Sequence, residues 1–255
     1  MNFEWAFATA ALGSARLIGL FAVAPIFGHP AVPGRIRVSL SMATAFALGI
    51  AVTPAVETQP LLSLAQLSFQ ELLVGLTLGF ATRLVFAGFG IMGELISIQG
   101  GLGAATTVDP SSQSSSLALA SLLQLLATLV FLSMDGHHAV IRTVSLSLEQ
   151  FPVGAGLGLA SSGHAMAIVA LGADIFEIAM RMAAPITAAM FIANLAVGLL
   201  GRIMPQINLM TVQLPALVIL NLALLVAGAG IFVSSSSEIL VNWLDGIAYL
   251  AASGR

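Results

Sequence analysis

Residues 61–102 read LLSLAQLSFQELLVGLTLGFATRLVFAGFGIMGELISIQGGL, an apolar run interrupted by only three charges, Glu71, Arg83 and Glu94. As one α-helix it extends about 63 Å at 1.5 Å per residue, whereas a bilayer core of about 30 Å is crossed by about 20 residues. The run must therefore kink, double back or project beyond the lipid. Five further apolar blocks surround it: Trp5–Phe27, broken only by Arg16, then Val38–Val56, Leu117–Met134, Leu157–Leu200 and Ile207–Val233. Two of the six are too long for a single crossing. The pattern predicts an all-α membrane protein of about six to eight long, kinked helices.

Composition agrees. Of 255 residues, 58% are hydrophobic and 7% charged, and the mean hydropathy is +1.05. Soluble chains carry about 25% charged residues, so this surface is not made for water. That excludes a cytosolic enzyme, a nucleic-acid binder and a disordered regulator. All 8 basic residues are arginine, and they form no basic tail for a polyphosphate. The absence of cysteine removes disulfides, thiolate metal sites and iron–sulfur clusters. The N-terminal residues before Trp5 include Glu4 and no basic residue, so the first block reads as a retained helix rather than a cleaved leader.

Glycine, proline and serine punctuate the blocks. His29-Pro30-Ala31-Val32-Pro33-Gly34 is a rigid connector. Gly100, Gly101 and Gly103 end the third block and offer hinge freedom. They lead towards a polar stretch, Thr106, Thr107, Val108, Asp109, Pro110, Ser111, Ser112, Gln113, Ser114, Ser115 and Ser116. Irregular backbone is tolerated only outside the lipid or against a protein-lined cavity, so this stretch is either an external loop or a movable gate. Glu238–Leu250 alternates polar and apolar faces at helical spacing and, with Trp243, reads as an interfacial amphipathic helix.

Charges in apolar helices are costly and usually functional. Asp174, Glu177 and Arg181 fall within about 60° of one helical face, with Glu177 and Arg181 in the favoured i,i+4 order for an ion pair. Local neutralisation against a neighbour and a water-filled path both fit. Arg83 and Glu94 share a face three turns apart, so their partners lie elsewhere, in other chains or solvent. Asp135-Gly136-His137-His138 carries two histidines, but adjacent residues splay about 100° apart on a helix, a poor geometry for joint chelation. A turn, with Asp135 capping the next helix, is expected, and no metal. Gly75 and Gly79 form a small-xxx-small face for close helix approach. No catalytic carboxylate pair or phosphate-cradling loop is present in the sequence, and no enzymatic activity or cofactor is expected.

An ordered series of residues resembles one family. Phe131-Leu132-Ser133-Met134-Asp135-Gly136-His137-His138 is similar to the hallmark of the FliR family of type III export-gate proteins. In order along the chain come Pro25-Ile26-Phe27-Gly28 with Pro33 and Arg35; Glu71 with Gly75 and Gly79-Phe80; and Gly93-Glu94-Leu95-Ile96 running to Val108-Asp109-Pro110. Phe151-Pro152-Val153-Gly154 and Leu200-Gly201-Arg202-Ile203-Met204-Pro205-Gln206-Ile207-Asn208 follow, then Pro215. The matches span roughly residues 16–235.

The resemblance implies a core subunit of the flagellar type III export gate, through which unfolded rod, hook and filament proteins pass. It implies one copy of this chain with FliP-like and FliQ-like subunits, an FlhB-like switch protein and the basal-body ring as further partners. The location implied is the bacterial inner membrane, with parts raised towards the periplasm. It implies a FliP-like half over residues 1–170 and a FliQ-like helical hairpin over 171–255. The family's plug loop falls on Thr106–Ser116, and Glu71, Arg83, Glu94, Asp174, Glu177 and Arg181 become contacts between subunits. The alternatives are a virulence-type injectisome gate subunit and a small-solute transporter with Asp174, Glu177 and Arg181 as coupling site.

Overall fold

The computed structural model describes residues 3–48, 60–101, 114–154, 162–203 and 209–252. Among these residues the chain forms seven α-helices and no strand. They are α1 (Phe3–Val23), α2 (Gly34–Ala47), α3 (Leu61–Gln99), α4 (Ser114–Ser133), α5 (Gly136–Gln150), α6 (Ser162–Ile203) and α7 (Leu209–Ala252). Three are long and apolar enough to cross a membrane, within α3, α6 and α7, and a fourth span results if α4 and α5 count as one broken crossing. The molecule is an all-α membrane protein.

The decisive run is a single helix. α3 is continuous over 39 residues, about 58 Å, so the excess length projects rather than doubling back. α6 and α7 are longer still, at 42 and 44 residues. Pro185 and Pro215 lie inside them, which apolar helices tolerate when neighbours satisfy the freed carbonyl.

Two boundaries differ from the sequence reading. Ser114–Ser116 begin α4 rather than ending the polar loop. Glu238–Leu250 is not a separate interfacial helix but the last third of α7. The intervening Ser234 and Ser237 donate to the carbonyls of Ile231 and Ser234, three residues back, at 3.0 and 2.8 Å. Each hydroxyl is thus satisfied without ending the helix.

The chain divides into two compact units. The first takes residues 1–85, 132–172 and 240–255. Its core is built from Leu12, Leu17, Leu20 and Phe21 of α1, Val74, Leu78 and Ala81 of α3, Val140 and Val144 of α5, and Leu240, Trp243 and Ile247 of α7. Trp243 Nε1 donates to the Ala81 carbonyl at 2.9 Å, which satisfies the indole's one polar group in the interior. α1 and α3 cross backbone to backbone: a Cβ at Gly75 would strike the carbonyl of Arg16, one at Gly79 that of Leu20, and one at Gly19 that of Leu72. The small-xxx-small face is therefore used as the spacing predicts. Ile26, in the turn after α1, has φ +72°, costly for a β-branched residue; it is held by Gly28 N–H to Ala24 O at 2.8 Å and Phe27 N–H to Pro25 O at 2.9 Å.

The second unit takes residues 86–131 and 173–239. Phe89, fully buried, is its aromatic centre, with Phe86 at 6.4 Å and Phe232 at 6.1 Å between centroids, while Phe131 meets Phe86 edge-on at 5.4 Å. Gly93 brings α3 against the backbone of α4 at Ala120. Ile175, Ala179, Ala183 and Met190 form the buried stripe of α6.

Candidate functional site

The first site is a charged network inside an apolar unit. Arg16 and Glu71 are 1% and 2% exposed. Arg16 Nε donates to Glu71 Oε2 at 2.6 Å, Nη1 to Ser147 Oγ at 3.2 Å and Nη2 to the Phe151 carbonyl at 3.0 Å. The second carboxylate oxygen, Oε1, accepts from Gly154 N–H at 3.0 Å, and Gly154 has φ +85°, a conformation glycine adopts without strain. One ion pair thus joins α1, α3, α5 and the turn after α5, beside the glycine crossing at Gly75. Buried charges persist when both are paired and their remaining lone pairs and protons are bonded, as here. Glu71, expected between subunits, instead spends both oxygens inside its own chain.

The second site is the exit of α3. Gly100 N–H bonds Ile96 O at 2.9 Å and Gly101 N–H bonds Ile98 O at 3.2 Å, with Gly101 at φ +77°, the left-handed residue that commonly closes a helix. Two asparagines absent from the sequence reading complete the cap. Asn194 Nδ2 donates to Gln99 O at 3.2 Å and Asn221 Nδ2 to Ile96 O at 3.3 Å. Asn221 is wholly buried and occupies the space a Gly100 side chain would need. Gly100 thus packs closely against Asn221 and Gly101 terminates α3. Gly103 and the stretch Thr106–Gln113 lie outside the described residues. Nothing in the sequence marks Asn194 or Asn221, since single amides in an apolar run carry no spacing signal.

Charges form the third site. Arg83 and Glu94 are exposed on α3 and Asp174, Glu177 and Arg181 on α6, with no ion pair among them in the described residues. The Glu177–Arg181 pair expected from spacing is not formed, because an exposed i,i+4 pair gains only about 0.3–0.5 kcal/mol and must immobilise two side chains. At about 100° per residue the three α6 charges lie opposite the stripe Ile175, Ala179, Ala183 and Met190. That outward face is apolar otherwise: Phe191, Leu195 and Leu199 are 61%, 56% and 57% exposed.

The turn between α4 and α5 also departs from expectation. Asp135 has φ +58° and makes no side-chain cap bond to α5, because the left-handed backbone turns its carboxylate away from the helix N–H groups. It lies instead 3.4 Å from His138 Nδ1. The rings of His137 and His138 stack, with centroids 4.1 Å apart, so the two do not splay as interior helix positions would.

Membrane-length helices left largely uncovered by the chain itself, with charges facing outward from them, define an all-α membrane protein with a broad bare surface. Comparison with known proteins gives the family. The profile of the family described as bacterial export proteins, family 1, matches residues 7–242, and the chain belongs to that family. It is 33% identical over 214 residues to the flagellar biosynthetic protein FliR of Escherichia coli (strain K12), covering 83% of this chain and 80% of that one. The FliR of Caulobacter vibrioides is 34% identical over 238 residues, 92% and 91% of the two chains. That of Bacillus subtilis (strain 168) is 29% identical over 216 residues, 83% and 82%.

Proposed function

We propose that this chain is a non-enzymatic core subunit of the flagellar protein export gate, assembled with FliP-like and FliQ-like chains around a channel for unfolded proteins. The observation that carries the reading is the bareness of α6 and α7. Each has a membrane-length apolar window of which only 11% is buried within the chain, against 56% for α3. α6 adds Asp174, Glu177 and Arg181 to that bare surface. A charge at the centre of a lipid-facing helix costs about 2.5–3.5 kcal/mol on insertion scales, so lipid is a poor cover for this face. Polar groups of neighbouring subunits, or water in a lumen, suit it. Homology to the relatives named flagellar biosynthetic proteins supports the flagellar setting over the injectisome. Asp174, Glu177 and Arg181 lie exposed on the outward face of α6, open to a neighbouring chain and not enclosed as a solute-coupling site requires.

The finer assignments belong to the same proposal. Residues 1–170 act as a FliP-like half and 171–255 as a FliQ-like hairpin, at the bacterial inner membrane with parts raised towards the periplasm. The segment Thr106–Ser116, whose last three residues open α4, acts as the plug. An FlhB-like switch protein and the basal-body ring are the remaining partners. Native mass spectrometry of the chain co-expressed with the FliP-like and FliQ-like proteins of its source tests the reading. A single complex holding one copy of this chain among several partners is the expected result. A monomer or homodimer that ignores those partners removes the proposal.

A further inference from the structure

We propose that Asp135, His137 and His138 form a binding site for a borderline divalent cation of the zinc class, independent of any role in export. Each of the three offers one ligand atom, and these atoms all lie within 4.8 Å of one another. Adjacent histidines need not splay here: the two rings lie 4.1 Å apart, tilted by 38°, and it is the grouping of the three ligand atoms that brings them within reach of one ion after small side-chain rotations. Both lie in the first turn of α5, which Gly136 opens after the left-handed Asp135.

Three further observations point to an ion rather than to a closed turn. The Asp135 carboxylate caps no backbone N–H. Its Oδ1 stands 3.4 Å from His138 Nδ1, longer than a good N–H···O bond. Two ligands on one tetrahedral zinc, at bond lengths of about 2.0–2.1 Å, are separated by about 3.4 Å. His137 Nδ1 is shielded from solvent and has no hydrogen-bond partner, an orphaned lone pair or proton of the kind a buried polar atom rarely keeps. The donor set selects the ion. Two imidazoles and one carboxylate suit zinc, cobalt or nickel, whereas calcium and magnesium demand oxygen ligands. Side-chain exposure of 71% for His138 and 75% for Asp135 leaves the site open to water, which supplies the remaining ligand. The bound ion would tie the left-handed turn to the first turn of α5.

The test uses the full-length chain, purified in detergent through a tag that contains no histidine, alone or with its co-purifying partners. Titration with Co2+ reads the intense visible bands of tetrahedral coordination, and equilibrium dialysis with Zn2+ gives the stoichiometry. One ion per chain is expected, reversed by a chelator. His138→Gln, at an exposed position that leaves the core intact, is expected to weaken binding by more than ~10-fold, the least that even an outer-shell change commonly costs. Asp135→Asn is expected to weaken it less. A control with His29 and His164 both changed to Gln retains the site. Absence of tetrahedral bands in the parent chain overturns the proposal. So does binding that survives His138→Gln, or that disappears in the His29 and His164 control. Unchanged circular dichroism across the set confirms that binding, not folding, is read.

Discussion

Arg16 and Glu71 are 55 positions apart in sequence and 2.6 Å apart in space. An unpaired charge left in the interior is the main hazard of such a pair, so its removal is asymmetric. Arg16→Met strands the Glu71 carboxylate and is expected to cost about 3–5 kcal/mol of stability. Arg16→Met with Glu71→Gln removes both charges yet keeps an amide oxygen to accept from Gly154 N–H, and is expected to recover most of that loss. Thermal unfolding in detergent by circular dichroism measures both. A single Arg16→Met that unfolds within about 1 kcal/mol of the parent removes the network from the stability argument. Sequence could show only half of this. Arg16 stands out as the one charge in the first apolar block, and Glu71 as an acid in the third, but a pairing between distant helices leaves no periodic trace. With no partner visible in sequence, Glu71 points to another chain, whereas its partner is Arg16.

Helices obey a different legibility. Six of the seven elements follow from apolar runs, because in a membrane-length helix nearly every position is apolar and the run itself is the signal; α5, GHHAVIRTVSLSLEQ, lies in none of those runs and is too polar to announce itself that way. Ends were harder. The serine run Ser234–Ser237 looks like a break, yet α7 continues through it, with Ser234 and Ser237 bonded to carbonyls three residues back, and the part of α7 from Leu240 enters the first unit's core. Trp243→Phe is therefore expected to cost about 1 kcal/mol, the worth of one hydrogen bond, and Trp243→Ala about 3–5 kcal/mol as a buried aromatic deletion. An interfacial anchor would show neither loss in detergent. Helix crossings allow a second comparison within α3. Gly75→Ala forces a methyl into the backbone of α1 and is expected to cost at least about 1–3 kcal/mol as overpacking. Gly90→Ala meets nothing within 4 Å and is expected to be neutral or to gain up to about 1 kcal/mol from better helix propensity. Melting temperatures of the two variants, measured side by side, fall for Gly75→Ala and do not fall for Gly90→Ala if the crossing is as described.

At the scale of the whole molecule the question is what covers α6 and α7, and the sign of one measurement decides it. Asp174, Glu177 and Arg181 share the outward face with Leu195 and Leu199. If that face meets lipid, changing all three charges to alanine removes a penalty of about 2.5–3.5 kcal/mol for each charge at depth, and the variant is expected to insert better and accumulate more. If it meets the polar surfaces of neighbouring subunits, the same variant folds alone as before but is recovered less often with partners, and swimming declines. We expect the second result, with complex recovery reduced about 10-fold or more, the effect of losing roughly 1.4 kcal/mol of contact. Quantitative pull-down from membranes, scored against total inserted chain, separates the two. Improved insertion with undiminished complex would return α6 to the lipid and require another explanation for three charges on a face that the chain itself leaves bare.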